Sequence, residues 1–282
     1  MYSLKIENQN GDILDITNDQ NYDVFKIDGL TPPNVTLNFS ELANYDGGIY
    51  NSAQLGMRNV VLYIKIHNPA EKNRINLYNY FPLKKRIRLY YENEHRNVYI
   101  DGYVESFESD LFSINETMQI SILCDNPYWI DTEKIKINFS KIEKLFEFPF
   151  MIPKEGIEFS SLIDDKTQFF NNTGTEIGIL IEFKANNNRI LNPKFYNRTT
   201  QKYFGLNFDM QQGDTIRIST IKGNKYVKLI RNGAESNIIS SRQSGSSWLT
   251  LIPGTNELSY ESDEGENNLD VIMTAYKYYE GV

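Results

Sequence analysis

The segment TMQISILCDNPYW, residues 117–129, constrains the fold more than any other stretch of the chain. Thr117, Gln119, Ser121 and Leu123 alternate with Met118, Ile120, Ile122 and Cys124, which is the period-two pattern of a strand buried on one face. Asp125, Asn126 and Pro127 then stop it. Pro127 cannot donate to a sheet ladder, so Tyr128 and Trp129 are presented just beyond the strand end, where their rings can plug the underside of a sheet. The segment reads as a structural seam that closes one β-rich region before another begins.

With 282 residues, the chain exceeds the usual domain size of roughly 100–200 residues, so two domains are expected, each burying its own core. Hydrophobic residues make up 40% and aromatics 13%, with Tyr 19 and Phe 16, a balance that favours packed β structure over disorder or a helical bundle. Only Cys124 is a cysteine, which excludes intrachain disulfides and cysteine-based zinc sites and leaves the fold to packing. Its place on the apolar side of the alternation makes it a small buried hydrophobe.

Lys plus Arg number 29 against 37 Asp plus Glu, a net charge of −8, so no global positive field exists to hold a polyanion, and nucleic acid is not expected as a principal partner. The one basic run, Lys84, Lys85, Arg86 and Arg88, is interleaved with Ile87 and Leu89, as on the solvated face of a strand. No apolar run reaches the roughly 18 residues a bilayer span requires. Residues 2–7 alternate like a strand and do not form a basic and apolar leader, so a soluble product made in the cytoplasm without membrane insertion is expected. The sequons at Asn34 and Asn197 are then incidental.

In the first half, strands are read at 2–7, 22–27, 35–39, 60–67, 86–91 and 98–108. One helix interrupts them over 69–80, with Asn68 as cap, Pro69 in the first turn, Glu71 at the capping-box position and Pro82 as stop. Ile75, Tyr78 and Phe81 recur every three residues and are expected to face the sheet. Residues 40–58 turn polar around Asp46, Gly47 and Gly48 and read as a long loop, a feature that in compact domains is usually functional or part of an interface. Residues 134–170 loosen into a crossing whose Leu145, Phe146, Phe148 and Phe150 are too apolar for a free linker. Beyond it, eight short strands between 177 and 279 suggest a β-sandwich, with Asn232-Gly233 at a hairpin tip. The domains are therefore placed at 1–133 and 171–282, joined by 134–170.

No catalytic constellation emerges, and no catalytic, cofactor-binding or metal-ligating residue is assigned; the chain is not expected to be an enzyme and no cofactor is implied. His67 ends a strand and His95 sits in a charged turn, away from any nucleophile motif. GxxxxGK[ST], GxGxxG and HExxH are absent from the sequence. Asp164-Asp165 and the run Glu261, Asp263, Glu264, Glu266 have the chemistry for glycoside cleavage or for Ca²⁺, but match no established spacing and read as solvated turns. Trp129 and Trp248 each offer a flat face for a sugar ring, with packing as the stronger reading; the alternation around Trp248 leaves its face undetermined.

GLTPPNVTLNFSELANYDGGIYNS (residues 29–52), RNVVLYIKI, YFPLKKRIRLYYEN, VYIDGYVESFESD and TMQISILCDNPYW together resemble the distal tail protein family of tailed bacteriophages. In the second half GILIEFKAN, RILNPKFYNRTTQKYFGLNFDMQQGDTIRIST, GNKYVKLIRNG and WLTLIPGTNELSY extend the resemblance to nearly the whole chain. It implies a mainly β protein: an N-terminal β-barrel-like ring domain with one short α-helix, and a C-terminal galectin-like or carbohydrate-module-like β-sandwich. It further implies a structural virion protein at the tail tip or baseplate. The chain is expected to form a homo-oligomeric ring, commonly hexameric, joining the tail tube protein to the tail hub and serving as a docking platform for receptor-binding protein. The alternative is a carbohydrate-binding module that attaches the particle to host-surface glycans.

Overall fold

The computed structural model describes residues 2–43, 46–110, 116–139, 142–144, 160–162, 167–171 and 174–282, the strands at 142–144 and 160–162 by their backbone pairing alone. Two compact units are formed, Met1–Glu133 with Tyr278–Val282, and Lys134–Lys277.

In the first unit the strands are β1 (Ser3–Glu7), β2 (Ile13–Asp15), β3 (Tyr22–Asp28), β4 (Val35–Glu41), β5 (Gly48–Leu55), β6 (Arg58–Ile66), β7 (Arg86–Glu92), β8 (Asn97–Ser109), β9 (Thr117–Cys124) and the start of β10 (Trp129–Phe139), with helix α1 (Ala70–Tyr80) between β6 and β7. An open antiparallel sheet runs β2-β1-β7-β8-β9-β6-β3, and β4 and β5 form a separate two-stranded sheet. The core is the set of inward positions that the alternations dictate: Leu4 and Ile6, Val60, Leu62 and Ile64, Ile87 and Leu89, Met118, Ile120, Ile122 and Cys124. Trp129 is fully buried in the same cluster, its ring 6.2 Å from that of Tyr91, so it plugs the sheet from just beyond the strand stop. Gly102 permits the close approach of β8 to β9: a Cβ there would lie 2.9 Å from the Cys124 sulfur.

The helix starts without a side-chain cap. Pro69, not Asn68, holds the cap position, and no side-chain bond closes it. The tie to the body comes instead from Asn73, whose Nδ2 donates to the His67 carbonyl at 2.9 Å and to Asn21 Oδ1 at 3.1 Å. Asn73, Leu77 and Phe81 form the buried face, whereas Ile75 and Tyr78 are exposed. The i, i+4, i+8 row decides the face here, and a spacing of three drifts off it within two turns.

Residues 278–282, placed by sequence with the second domain, pack with the first unit. The amide of Val282 donates to the Leu30 carbonyl at 3.0 Å, the Tyr279 hydroxyl to Asp131 Oδ2 at 2.9 Å, and the Arg96 guanidinium lies 3.9 Å over the Tyr279 ring.

The second unit contains the rest of β10, β11 (Ile142–Lys144), β12 (Ser160–Leu162), β13 (Thr167–Asn171), β14 (Ile177–Ala185), β15 (Ile190–Leu191), β16 (Lys194–Asn197), β17 (Lys202–Gly205), β18 (Asp209–Met210), β19 (Thr215–Ser219), β20 (Tyr226–Arg231), β21 (Ala234–Asn237), β22 (Thr250–Leu251), β23 (Gly254–Glu261) and most of β24 (Leu269–Tyr279). One antiparallel sheet runs β24-β14-β19-β20-β21 and another β13-β23-β16-β17. Strict alternation along β14 buries Ile177, Ile179, Ile181, Phe183 and Ala185, while Phe139 packs edge-on against Phe195 at 5.3 Å and Tyr260 at 6.2 Å. Leu145, Phe146, Phe148 and Phe150 of the expected crossing lie outside the described residues, as do Asp164 and Asp165.

Two buried polar side chains inside this unit, Asn197 and Asp214, are paired. Asn197 is fully buried and donates to Asn256 Oδ1 at 3.0 Å and to the Thr250 carbonyl at 3.1 Å, which removes it from any glycosylation. At the hairpin tip Asn232 and Gly233 both have positive φ, 51° and 79°, as a two-residue tight turn requires. Arg231 then grips buried Asp214 with two bonds, Nε to Oδ1 at 2.8 Å and a second nitrogen to Oδ2 at 2.5 Å.

Burial raises the Asp214 carboxyl pKa, but Arg231 and the Gln211 amide outweigh it and hold the group below the usual carboxylate range. Its ionised form therefore stabilises the fold above the unfolded-state pKa of about 4, and that stability is lost as pH falls through the lower folded value. Asp214→Asn is expected to cost about 1.5–3 kcal/mol at neutral pH. Acid titration of thermal stability should also flatten in the variant below pH ~4; an unchanged acid limb would show that the pair contributes nothing.

Candidate functional site

The sheet of β4 and β5 is exposed along nearly its whole length. Its cross-strand register sorts the side chains into two faces. Val35 opposes Leu55, Leu37 opposes Ala53 and Phe39 opposes Tyr50, whereas Thr36 opposes Gln54 and Asn38 opposes Ser52. Asn51 is the extra residue of a bulge between these pairs, and without it Tyr50 would fall opposite Ser40, on the other face. The bulge thus restores the apolar register, and Asn51 returns Nδ2 to Ser40 Oγ at 2.7 Å. Phe39 and Tyr50 meet edge to face at 6.0 Å.

Among the described residues this apolar face has no cover. Val35, Leu37, Phe39 and Tyr50 are 47% to 57% exposed. A lone two-stranded ribbon is marginal in water, and a contiguous apolar patch on one marks a surface made to be covered. The span expected as a loop, 40–58, therefore holds the second strand of an arm.

The arm stands on a pinned root. Arg58, the first residue of β6, is buried and donates Nε to the Pro127 carbonyl at 2.6 Å and a terminal nitrogen to the Thr31 carbonyl at 2.8 Å. It also donates to the carbonyls of Gly29 and Glu280. One guanidinium thereby ties the strand leaving the arm to the loop entering it, to the turn after β9 and to the C-terminal tail. Burial lowers its pKa, yet a guanidinium stays charged in any protein setting. Gly29 completes the root: its φ is +89°, and a Cβ would lie 2.3 Å from the Asn59 carbonyl oxygen.

The residues weighed for chemistry fall elsewhere and are occupied. His67 Nε2 lies 2.8 Å from Asp23 Oδ2 on an exposed surface, and His95 receives the turn of Asn93, whose Oδ1 accepts its amide at 2.9 Å. Glu261 accepts from the Tyr196 hydroxyl, and Asp263 from Lys194 Nζ at 2.9 Å and Asn192 Nδ2 at 2.8 Å, so the acidic run is spent on ion pairs and hydrogen bonds. Among the described residues no group of three or more His, Cys, Asp or Glu side chains gathers as a metal site would. Arg86 and Arg88 of the basic run close on Asp101, each with a contact at 2.7 Å, so both guanidiniums are tied to one carboxylate. Trp248 is half-buried, 5.1 Å from Phe204.

Cys124 is buried, and desolvation pushes its thiol up to about 12. A thiol reagent at pH 8 is expected to leave the native protein unmodified and to label it fully in denaturant; rapid native labelling would place Cys124 at the surface.

Taken together, the geometry defines a class: a mainly β protein of two compact units, the first of which carries an exposed amphipathic arm. Residues 172–277 match the family model of the siphovirus-type tail component, C-terminal domain. Among solved structures, the fold is similar to the Dit protein of phage SPP1, described as a paradigm of the hub adsorption apparatus in phages infecting Gram-positive hosts, at 11% identity and a TM-score of 0.70 over 99% of both chains. It is also similar to a chain of the phage P2 baseplate in its activated conformation with calcium, at 12% identity and a TM-score of 0.61 over 100% of both chains. No curated protein matches it in sequence. The second unit thus carries a stretch that matches a siphovirus-type tail component domain, and the fold of the whole chain is similar to those of these two phage proteins.

Proposed function

We propose that the chain is a ring-forming adaptor at the distal end of the tail, without catalytic activity, joining the tail tube to the hub and offering its second domain as a docking platform for receptor-binding components. Synthesis in the bacterial cytoplasm precedes its incorporation into the virion. The observation that carries this reading is the uncovered apolar face of the β4–β5 arm. An arm laid on a different surface of the next copy makes a heterologous contact, and such contacts close into rings when the rotation allows. Covering that face removes Phe39 and Tyr50 from water together, as the aromatic centres of subunit interfaces do. Six copies is the stoichiometry that the family resemblance implies.

The test is assembly of the full chain. Leu37→Asp/Phe39→Asp alters only exposed positions, so thermal stability is expected to stay within about 0.5 kcal/mol of wild type. Light scattering should find the wild type as a closed ring, alone or with its tube or hub partner, and the variant as a monomer. A wild-type chain that remains monomeric with both partners, or a variant that still closes rings, rejects the reading.

A further inference from the structure

We propose that Trp248, Lys225 and Arg242 form a subsite for an anionic saccharide, a sugar bearing a carboxylate or a phosphate, within the second unit. Lys225 Nζ lies 5.5 Å and the Arg242 guanidinium 5.6 Å from the Trp248 ring centroid. Both cations are exposed and, among the described residues, neither makes an ion pair with a carboxylate. Lys194, Arg217 and Arg231 of the same unit, by contrast, each face an acid. Lys222 stands exposed in the same turn as Lys225.

The ring is held ready. Phe204 backs it from the core at 5.1 Å. The preceding loop is stapled to β17: the Gln243 amide donates to the Gly205 carbonyl at 2.9 Å, the Ser247 amide to the Tyr203 carbonyl at 2.8 Å, and Ser246 Oγ both accepts from and donates to Gly205 at 3.0 Å. The Gln243 side chain packs over Gly205, where a Cβ would lie 2.5 Å from Gln243 Oε1. A rigid aromatic face lowers the ordering cost of stacking a sugar ring, and two cations resting over it can turn to an anion carried on that sugar. A neutral sugar would use the ring and leave both charges idle. The pattern therefore selects an anionic ligand.

The probes are trigalacturonate, glucose 6-phosphate and neutral maltotriose, titrated into the full chain. Tryptophan emission reports the site directly, since the only other tryptophan, Trp129, is fully buried in the other unit. Either anionic probe should shift emission and bind more weakly as salt rises above about 0.1 M. Lys225→Glu/Arg242→Glu, with unchanged melting temperature, should weaken binding by about tenfold or more, and Trp248→Ala should abolish the emission change. Absence of binding by both anionic probes, binding of maltotriose alone, or equal binding by the charge-reversed variant overturns the proposal. Ring formation by the charge-reversed chain is measured in parallel, so loss of this site is distinguishable from failure of the assembly reading.

Discussion

Arg58→Met should cost about 3–5 kcal/mol, although no carboxylate is bonded to Arg58. Methionine keeps much of the stem and removes every donor, so the carbonyls of Gly29, Thr31, Pro127 and Glu280 lose the group that they share. Each buried carbonyl left unpaired costs about 1–3 kcal/mol, reduced where water can enter from the arm side. Arg58→Lys is not a rescue, because an ammonium is a point charge with three donors and lacks the planar fork that reaches several loops at once. Urea unfolding should show a lower midpoint for both variants, and limited proteolysis should release the C-terminal tail before the core. A loss under about 1 kcal/mol for Arg58→Met would mean that water already serves those carbonyls.

Arg58 also shows where sequence reading stops. Its partners are backbone oxygens at residues 29, 31, 127 and 280, and backbone acceptors leave no mark in the residue types around them. Local patterns fared better. The alternation from Thr117 to Cys124 is the observed β9, and Asn232-Gly233 adopts the two positive φ values that its composition favours. The fold class was legible because period-two burial recurs along β6, β9 and β14.

The arm was half legible. Its strand β4 follows a clean alternation, but the bulge at Asn51 breaks the period in β5 at the point where the alternation would have revealed a second strand. Glycines at 47 and 48 and the polar residues around them then resemble a loop. The face of α1 was misjudged because apolar residues on a three-residue repeat look like a stripe, while the true stripe begins with the polar Asn73, buried through its hydrogen bonds. Trp248 was singled out for its ring, but Lys225 beside it comes from another loop and Arg242 from the far end of its own, and only the fold brings them together.

Trp129→Ala should destabilise the first unit by about 3–5 kcal/mol, the cost of removing a large ring from a core that cannot close over the void. The ring is fully buried against Tyr91, and it follows the Asp125-Asn126-Pro127 stop, so the backbone on its N-terminal side is committed to a turn and cannot slide to refill the space. Trp129→Phe separates volume from polarity. Among the described residues the Trp129 Nε1 hydrogen has no acceptor, and a buried donor left unpaired carries a penalty of about 1–3 kcal/mol. Phenylalanine removes that donor while leaving a smaller cavity, so the two changes oppose each other and a net loss within about 1.5 kcal/mol is expected. Denaturant midpoints for the two variants then form a ladder with a wide first gap and a narrow second one. If Trp129→Phe were as damaging as Trp129→Ala, ring volume could not be the cause, and the Nε1 hydrogen would have to be making a stabilising bond.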